Sequence, residues 1–423
     1  MTESVPRTAH IIQKRKETPM EINFNRKILH CDCNSFYASV SLLPYPELKD
    51  KPVAVGGSSE NRHGIVLAKN EAAKKYGIKT AQTIQSAKKL CPDLIILPPQ
   101  RERYEYFSKI INGIYNKYTD LVEPFGIDES WLDITGSYHL FANSAEELAN
   151  QLRERVYYET GLTISVGVSF NKVFAKLGSD YKKPNATTVI SKENYKDIVF
   201  PLKVEDLLYV GRNTAETLHK LGIRTIGQLA AADVNLLSDK LGKHGRDLHI
   251  YANGAENSPV TPFDAHREVK SVGSGNTFYR DICGLGDIKP ALMVLSEQVG
   301  HRLRKHNLYA NGVQITIKNP AFVSFTRQCR IPSTNVSDNI YHTALELLQK
   351  NWNVKMPIRA LTVTALDLSA EKKAQQINLF DTEEVADDAK KENLQKALDS
   401  IKQKYGSNAV QNASVMKTDL FKK

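Results

Sequence analysis

Two adjacent carboxylates, Asp128 and Glu129, lie in an apolar stretch bounded by turn residues. The sequence from Val122 to Asp133 is typical of two short strands that meet near these acids, with Pro124 and Gly126 just before them. Neighbouring side chains on a strand point to opposite faces, so both carboxylates reach one ion only at a bend or bulge. Alone, the pair is equally consistent with an exposed acidic turn, because acidic residues are common in turns.

A third carboxylate, Asp32, follows a short apolar strand at residues 28–31 and precedes a predicted helix from Ser35 to Leu43. A lone aspartate at a strand end is usually a capping or turn residue. Together with the distant Asp-Glu pair, however, it completes a set of oxygen ligands suited to hard divalent cations. Two such ions can stabilise the attacking and leaving oxygens of a phosphoryl displacement. The sequence therefore indicates phosphoryl or nucleotidyl transfer.

Composition narrows the class of protein. At 423 residues and 41% hydrophobic content, roughly two to four domains with sizeable cores are expected. No apolar run approaches membrane-spanning length and no signal peptide is visible, so a membrane partner is not expected. The net charge of +10 and the pI near 9.1 suit a polyanionic partner. The five cysteines lack paired metal-ligand spacing, which favours free thiols in a reducing cytosol over a zinc site.

Several separated motifs agree in order and spacing with one known family. One motif begins at Asp32 and reads Asp-Cys-Asn-Ser-Phe-Tyr-Ala-Ser-Val. Another contains the acidic pair and reads Ile-Asp-Glu-Ser-Trp-Leu-Asp-Ile-Thr. This chain resembles the Y-family translesion DNA polymerases, specifically their bacterial UmuC/DinB-like members, and it is most similar to the UmuC-like branch. The resemblance runs from about Ile28 to about Asp367, which is most of the chain.

The resemblance implies an α+β multidomain protein, a right-hand polymerase with palm, small fingers, helical thumb and a ferredoxin-like little finger. The implied divisions are a flexible N-terminal arm at 1–26, a palm at 27–190 with fingers inserted at about 43–98, a helical thumb with a helix-hairpin-helix at 191–254, a linker at 255–268, a little finger at 269–368 and a tail at 369–423. After the linker, the predicted order strand, helix, strand, strand, helix, strand is itself typical of a split βαβ repeat. The short fingers have no long helix, which implies a roomy active site.

Family members hold two Mg²⁺ ions at the acidic motifs. The resemblance implies that Asp32 and Asp128, with the backbone carbonyl of Cys33, hold the nucleotide-side ion. It implies that Asp128 and Glu129 hold the second ion beside the primer 3′-hydroxyl, so these three acids are the expected catalytic residues. Asn34 stands where many members carry another aspartate, and it is therefore left out of the ligand set.

Three residues correspond to nucleotide contacts of the family. Tyr37 is the expected steric gate, whose ring collides with a ribose 2′-hydroxyl, although it can also be a packing aromatic. Lys74 stands where the family commonly has an arginine, and it is expected to contact phosphate, with a solvated helix face as the alternative. Glu71 replaces a common tyrosine. Lys183, in a Lys-Pro-Asn motif, is expected to meet the triphosphate, the alternative being a turn lysine.

The expected DNA contacts lie in the two C-terminal domains. The thumb sequence around Gly211, Arg212 and Thr214 is typical of a helix-hairpin-helix, whose backbone amides bind phosphate without reading sequence. An ordinary αα-hairpin is the alternative. In the little finger, Lys270 and Arg280 are expected phosphate contacts, with scattered surface charge as the alternative.

The polar tail contains one apolar cluster, Gln376-Ile377-Asn378-Leu379-Phe380. It resembles the short motif by which bacterial polymerases bind the sliding clamp, which predicts clamp contacts from Gln376, Ile377, Leu379 and Phe380. A helix is also predicted at 392–405, with no function assigned to it.

The resulting hypothesis is template-directed, low-fidelity translesion DNA synthesis without proofreading, since no exonuclease motif is apparent. It implies primer–template DNA, deoxynucleoside triphosphates, a sliding clamp and activating proteins as partners, in the damage (SOS) response at the nucleoid of the cytoplasm. The alternative from another class is a non-catalytic DNA-binding accessory protein, and a nucleotidyl cyclase shares the palm chemistry. The intact Asp32, Asp128, Glu129 and Lys183 favour the enzyme, because a scaffold does not need them.

Overall fold

The computed structural model describes residues 22–57, 64–265, 268–373, 382–406, 409–416 and 420. The chain divides into two units, residues 1–57 with 65–265 and residues 58–64 with 266–423. Within the described ranges, every helix is too short or too polar to cross a lipid bilayer.

The N-terminal two thirds of the first unit carry eight strands and six helices in the described part of the chain. In order they are β1 (Ile28–Cys33), α1 (Phe36–Leu42), β2 (Val53–Gly56), β3 (Val66–Lys69), α2 (Glu71–Lys74), α3 (Ile84–Leu90), β4 (Ile95–Leu97), α4 (Arg101–Tyr115), β5 (Val122–Pro124), β6 (Glu129–Asp133), α5 (Ala145–Thr160), β7 (Ile164–Ser169), α6 (Lys172–Tyr181) and β8 (Thr187–Val189).

The larger sheet has the strand order β5-β6-β1-β7-β8, with β1 at its centre and antiparallel to both neighbours. All six residues of β1 are buried, and the strand extends two residues beyond the predicted range 28–31 to include Asp32. Alternate side chains on β1 face different layers: Leu29 packs in the core with α4 and α5, whereas Ile28 packs with Ala175 of α6. The face that carries Ile28 therefore also carries Asp32.

Helix α6 lies unusually close to this sheet. A Cβ atom at Gly167 of β7 would lie 1.8 Å from the carbonyl oxygen of Ala175, so only glycine permits this approach. The close packing brings the lysines of α6 next to the acids of β1 and β6.

The second sheet, β3-β2-β4, belongs to the small region predicted as fingers. Its helices are short: α2 has four residues and α3 has seven. Asn70 and Thr83 cap them by accepting hydrogen bonds from the amides of Ala73 and Ser86.

The rest of the first unit is helical, as the sequence predicts. It contains α7 (Tyr195–Val199), α8 (Arg212–Lys220), α9 (Ile226–Ala230), α10 (Val234–Leu241) and α11 (Lys243–Ala252). The segment before α8 is not a full first helix of a helix-hairpin-helix. It is a single 3-10 turn, Val204–Asp206, and Val204 is buried in the same core as α8.

Two segments predicted as arm and linker are partly packed. Phe24 contacts Phe170 with ring centroids 4.7 Å apart, so the described end of the N-terminal arm joins the core. In the first half of the linker, Glu256 accepts a hydrogen bond from the Lys172 amide at 3.1 Å, and Val260 is buried against β1 and β6.

The second unit contains β9 (Ser271–Ile282), α12 (Gly284–Lys305), β10 (Tyr309–Lys318), β11 (Ser324–Thr334), α13 (Ser337–Asn351), β12 (Ile358–Ser369), α14 (Thr382–Tyr405) and α15 (Ala413–Met416). The predicted order of strands and helices is confirmed for β9 to β12. The sheet is fully antiparallel, with the strand order β11-β10-β12-β9. The term "ferredoxin-like" refers here to the order of strands and helices along the chain. Helices α12 and α13 supply the apolar core beneath it.

The predicted helix at 392–405 is confirmed as part of α14, and it is docked. The Arg304 guanidinium on α12 donates to the Asp399 carboxylate at 2.6 Å, and the Ser337 amide donates to Gln395 at 2.9 Å. Leu420 is 3% exposed in the little-finger core. The predicted clamp motif, residues 376–380, lies outside the described residues.

Candidate active site

The pairing of β1 with β6 brings the predicted acids together. Asp32 lies directly opposite Glu129, and Asp128 precedes β6 in a bend. The Cys33 amide donates to the Asp128 carbonyl at 3.0 Å, and the Phe125 amide donates to the Glu129 carbonyl at 2.9 Å. The bend that the sequence required between the two adjacent acids is therefore present.

The ligand atoms closest to one another belong to His30, Asp32 and Glu129, and all lie within 4.8 Å of one another. The Asp128 side chain is not part of this group, although its main chain adjoins it. Carboxylate oxygens suit a hard divalent cation. In addition, the buried His30 Nε2 has no hydrogen-bond partner among the described residues. The donor set therefore fits a divalent ion.

Glu129 is strongly favoured in its ionised form. Burial works against ionisation, but contacts with His30 and Lys176 lower the pKa of Glu129 to about 2. The Lys176 Nζ lies 2.7 Å from its Oε2 atom. Glu129 is thus a permanent anion at any pH at which the protein works.

Asp32 has the opposite shift. Burial raises the pKa of Asp32 to about 6, the nearby Glu129 charge adds to this, and Lys183 and Lys176 only partly offset it. The pKa of Asp128 is also raised, by burial and by the Glu129 charge. Like charges opposite each other on paired strands repel, so these acids favour an additional cation between them.

Lys183 lies beside the acids. Its Nζ atom lies 2.7 Å from Asp32 Oδ2 and 2.8 Å from Asp180 Oδ1. Although burial works against it, these two carboxylates raise the pKa of Lys183. Lys183 is therefore a cation beside the acids.

Lys176 was missed by the sequence analysis. It follows Lys172 by one helical turn on α6, and this spacing was the available signal. Without the register of β1 and the close approach of α6, nothing in the sequence distinguishes it from a solvated lysine.

His30 was also missed. Its Nδ1 atom is hydrogen-bonded to the Ser179 hydroxyl at 2.8 Å. Burial lowers the pKa of His30 to about 4, which leaves the ring neutral. Its Nε2 atom lies 3.3 Å from Glu129 Oε2. The signal was the two-residue spacing from Asp32, which places both side chains on one face.

The residues around the predicted gate are fixed by local contacts. The Tyr37 ring stacks on Tyr104, with centroids 4.2 Å apart and planes 12° apart. The Asn34 side chain donates to Thr163 at 3.1 Å and accepts from Ser165 at 2.9 Å. These contacts tie the Asn34 side chain to Thr163 and to β7.

Lys74 is paired in this structure. Its Nζ atom donates to Glu71 at 2.5 Å, and the Ser35 hydroxyl donates to the same carboxylate at 3.2 Å. Glu71, which replaces a common family tyrosine, thus links α2 to the turn before α1.

The remaining predicted residues lie away from the acids in sequence and element. Gly211 is the N-cap of α8, where the first amides lack intrahelical acceptors, and the exposed Arg212 pairs with Glu216 at 2.9 Å; Thr214 lies in the same first turn. In the second unit, Lys270 is exposed next to β9, and Arg280 makes a bidentate pair with Asp287 at 2.6 and 2.9 Å. Burial and nearby acids raise the pKa of the Cys33 thiol, so Cys33 can contribute only through its main chain.

The raised pKa of Asp32 predicts a pH-dependent stability of the metal-free protein. The pKa of Asp32 in the folded protein lies above its pKa in the unfolded chain. The contribution of Asp32 to the free energy of unfolding is therefore fully present below about pH 4 and is lost as the pH rises through about 6. We expect Asp32→Asn to increase the free energy of unfolding at pH 8 by up to about 2–3 kcal/mol. Thermal melting in chelator at pH 8 and pH 4 measures this.

At pH 4 the advantage of Asp32→Asn should largely vanish, since the native carboxyl is then protonated. The matched control is Asp133→Asn, which removes a charge from β6 outside the acid cluster. Equal effects of Asp32→Asn at both pH values would contradict the interpretation.

Comparisons with known proteins agree with this fold. Residues 31–180 match the impB/mucB/samB family, and residues 269–379 match the impB/mucB/samB family C-terminal domain. The chain is 45% identical to DNA polymerase IV of Acetivibrio thermocellus over 92% of this chain and 98% of that protein. It is 37% identical to DNA polymerase IV 1 of Bacillus subtilis over 93% and 94%.

A solved Y-family DNA polymerase chimera of Dbh and Dpo4 is similar in fold, with a TM-score of 0.72 and 24% identity, covering 82% of this chain and all of that one. The fold is thus that of a right-hand polymerase. The chain belongs to the Y family of translesion DNA polymerases, on its DinB-like side instead of the UmuC-like branch that its motifs favoured, and is a DNA-directed DNA polymerase.

Proposed function

We propose that this polymerase copies damaged template bases at low fidelity by two-metal-ion nucleotidyl transfer, without proofreading. The observation that carries the proposal is the pairing of Asp32 opposite Glu129, with Asp128 in the adjoining bend and two lysine cations beside them. Such a constellation suits a reaction in which negative charge develops on phosphate oxygens.

In the proposed site, Asp32 and Asp128 hold the nucleotide-side Mg²⁺ with the Cys33 carbonyl, and Asp128 and Glu129 hold the second ion. The chemistry that such ions supply is activation of the primer 3′-hydroxyl and stabilisation of the in-line displacement. Glu129 contributes an anion that never needs to lose a proton, because its pKa is about 2.

Three side chains are proposed to hold the incoming nucleotide. Lys183, whose pKa is raised, is available as a cation to the triphosphate. Lys74 is proposed as a second phosphate contact, which requires it to exchange its pairing with Glu71 for phosphate. Tyr37, stacked on Tyr104, is the proposed gate against ribose.

Low fidelity is supported by the size of the fingers. The two helices described there have only four and seven residues, so neither can close over a nascent base pair as a long helix does. DNA is proposed to contact the amides around Gly211, Arg212 and Thr214 and, in the little finger, Lys270 and Arg280. These contacts hold phosphates and read no sequence, which suits a polymerase that must accept altered templates.

The proposed protein partners are a sliding clamp, bound through Gln376, Ile377, Leu379 and Phe380, and activating proteins at the nucleoid. The support for the clamp is the sequence motif alone. A weakly binding polymerase gains most from such a tether, because the clamp raises its effective concentration at the primer end.

Primer extension by the purified chain tests the proposal. We expect Mg²⁺-dependent, distributive synthesis on undamaged templates and insertion opposite an abasic site, with no removal of a mismatched primer terminus. Loaded clamp should stimulate synthesis, and the double change Leu379→Ala with Phe380→Ala should abolish only that stimulation.

The competing function is a non-catalytic accessory protein. Intact primer–template binding without synthesis, even with clamp and a damage-response cell extract added, would favour it. Bypass as inefficient as that of a replicative polymerase, together with excision of the mismatch, would contradict the translesion proposal while leaving polymerase activity.

A further inference from the structure

The loop that carries Lys183 is held from two sides. It connects α6 to β8, and all residues from Tyr181 to Asn185 are exposed, so burial in a core does not fix it. On one side, Lys183 binds Asp32 and Asp180 at 2.7 and 2.8 Å. On the other side, the fixed point is Asn185.

Arg153 of α5 supplies that second anchor. Its Nη2 atom donates to the Asn185 carbonyl and, at 3.0 Å, to the Asn185 side-chain oxygen, to which Nε also donates at 3.3 Å. Asn185 has a positive φ of 51°, a conformation that needs local support. The guanidinium thus grips both the main chain and the side chain of one loop residue.

The guanidinium itself is oriented by its neighbours. The Arg153 Nη1 atom donates to Asn150 at 3.1 Å and to Thr187 at 3.4 Å, and the Thr187 hydroxyl donates to Asn150 at 2.7 Å. These contacts tie the loop to α5 and to the start of β8. A planar guanidinium that is hydrogen-bonded on several sides is held in one orientation, and a lysine could not fully reproduce this geometry.

The contacts of Arg153 are also unusual for a surface helix. In the described part of the chain no carboxylate lies within 4.0 Å of it, whereas Arg155, two residues later, pairs with Glu159 at 2.7 Å. The charge of Arg153 is therefore directed to backbone and amide oxygens of the loop instead of an ion pair.

We propose that Arg153 is a positioning residue for nucleotide binding, which fixes the 182–186 loop so that Lys183 reaches the triphosphate. The inference rests on the proposed contact between Lys183 and the triphosphate. Arg153 touches neither substrate nor the acids in this scheme, and it acts through Asn185 on the direction in which the Lys183 side chain leaves the loop.

Steady-state insertion of one nucleotide by the full chain tests this. We expect Arg153→Ala to raise KM for the nucleotide about tenfold, as loss of a charged hydrogen-bond anchor implies, with a smaller change in kcat. Arg153→Lys should restore part of the affinity. Arg155→Ala is the matched control on the same helix, and its KM should stay at the wild-type value.

A double-mutant cycle separates positioning from general destabilisation. In a Lys183→Ala background, Arg153→Ala should raise KM no further, because the lysine that it positions is absent. An equal additional rise in that background would overturn the inference.

The cycle also separates the two proposals. If Lys183→Ala raises KM and Arg153→Ala does not, only the anchoring role fails. If Lys183→Ala leaves KM unchanged, the proposed triphosphate contact fails and the anchoring role with it. A melting temperature far above the assay temperature for each variant would show that folded enzymes are being compared.

Discussion

We expect Glu129→Gln and Asp128→Asn each to reduce the rate of nucleotide insertion by at least about 10³-fold. Each change removes an anionic ligand of the ions that are proposed to stabilise charge in the transition state. The lowered pKa of Glu129, about 2, makes the loss in Glu129→Gln independent of pH across the working range. Single-turnover insertion with saturating primer–template and nucleotide measures the chemical step without interference from product release.

The matched control is Asp133→Asn, a carboxylate at the other end of the same strand that pairs with Arg26 at 3.8 Å instead of facing the site. It should insert nucleotides at the wild-type rate. Both active-site variants should bind primer–template normally and melt cooperatively. Wild-type-like insertion by either of them would remove that residue from the metal-binding set.

The two acids on β1 and β6 should differ in their effect on stability. The depressed pKa of Glu129 contributes stability above about pH 4.5 that is lost as pH falls toward 2, so Glu129→Gln should lower the melting temperature at pH 8. Asp32→Asn should raise it, since its pKa is shifted upward. The surroundings thus favour the ionised form of Glu129 and disfavour that of Asp32. A further cation near Asp32 would favour its ionised form.

The acids could be predicted because each one interrupts an apolar strand in a motif of recognisable order. The strands β1, β5 and β6 follow from short buried-type runs, and the bend at Asp128 follows from the opposite faces of adjacent strand residues. In the same way, the alternation of β9 to β12 with α12 and α13 follows from hydrophobic periodicity.

What the sequence did not indicate depends on register and on close packing. Lys176 reaches Glu129 only because Gly167 lets α6 approach the sheet, and His30 meets Glu129 only through the pairing of β1 with β6. Likewise, α14 is held by polar contacts of Arg304 and Asp399, which carry no apolar period. Pairing partners of this kind are properties of the folded chain, and local patterns do not contain them.

The expected result for Tyr37→Ala is a loss of discrimination against ribonucleotides. Tyr37 is half-buried and its ring is stacked on Tyr104, whose hydroxyl in turn lies 2.8 Å from the Ser41 hydroxyl, so the ring cannot easily move aside. A clash of one hydroxyl with a fixed ring costs about 1–3 kcal/mol, which corresponds to roughly 5- to 150-fold in the ratio of kcat/KM.

Insertion of a ribonucleotide and of the matching deoxynucleotide, measured side by side for each variant, gives that ratio. Tyr37→Phe is the matched control, because it keeps the ring and its stacking and should therefore keep the selection. Tyr104→Ala removes the support but not the gate, and an intermediate ratio is expected from a ring that has gained freedom. If Tyr37→Ala selects sugars as strictly as the wild-type protein, the ring stacked on Tyr104 is a packing aromatic, and sugar selection belongs to another residue.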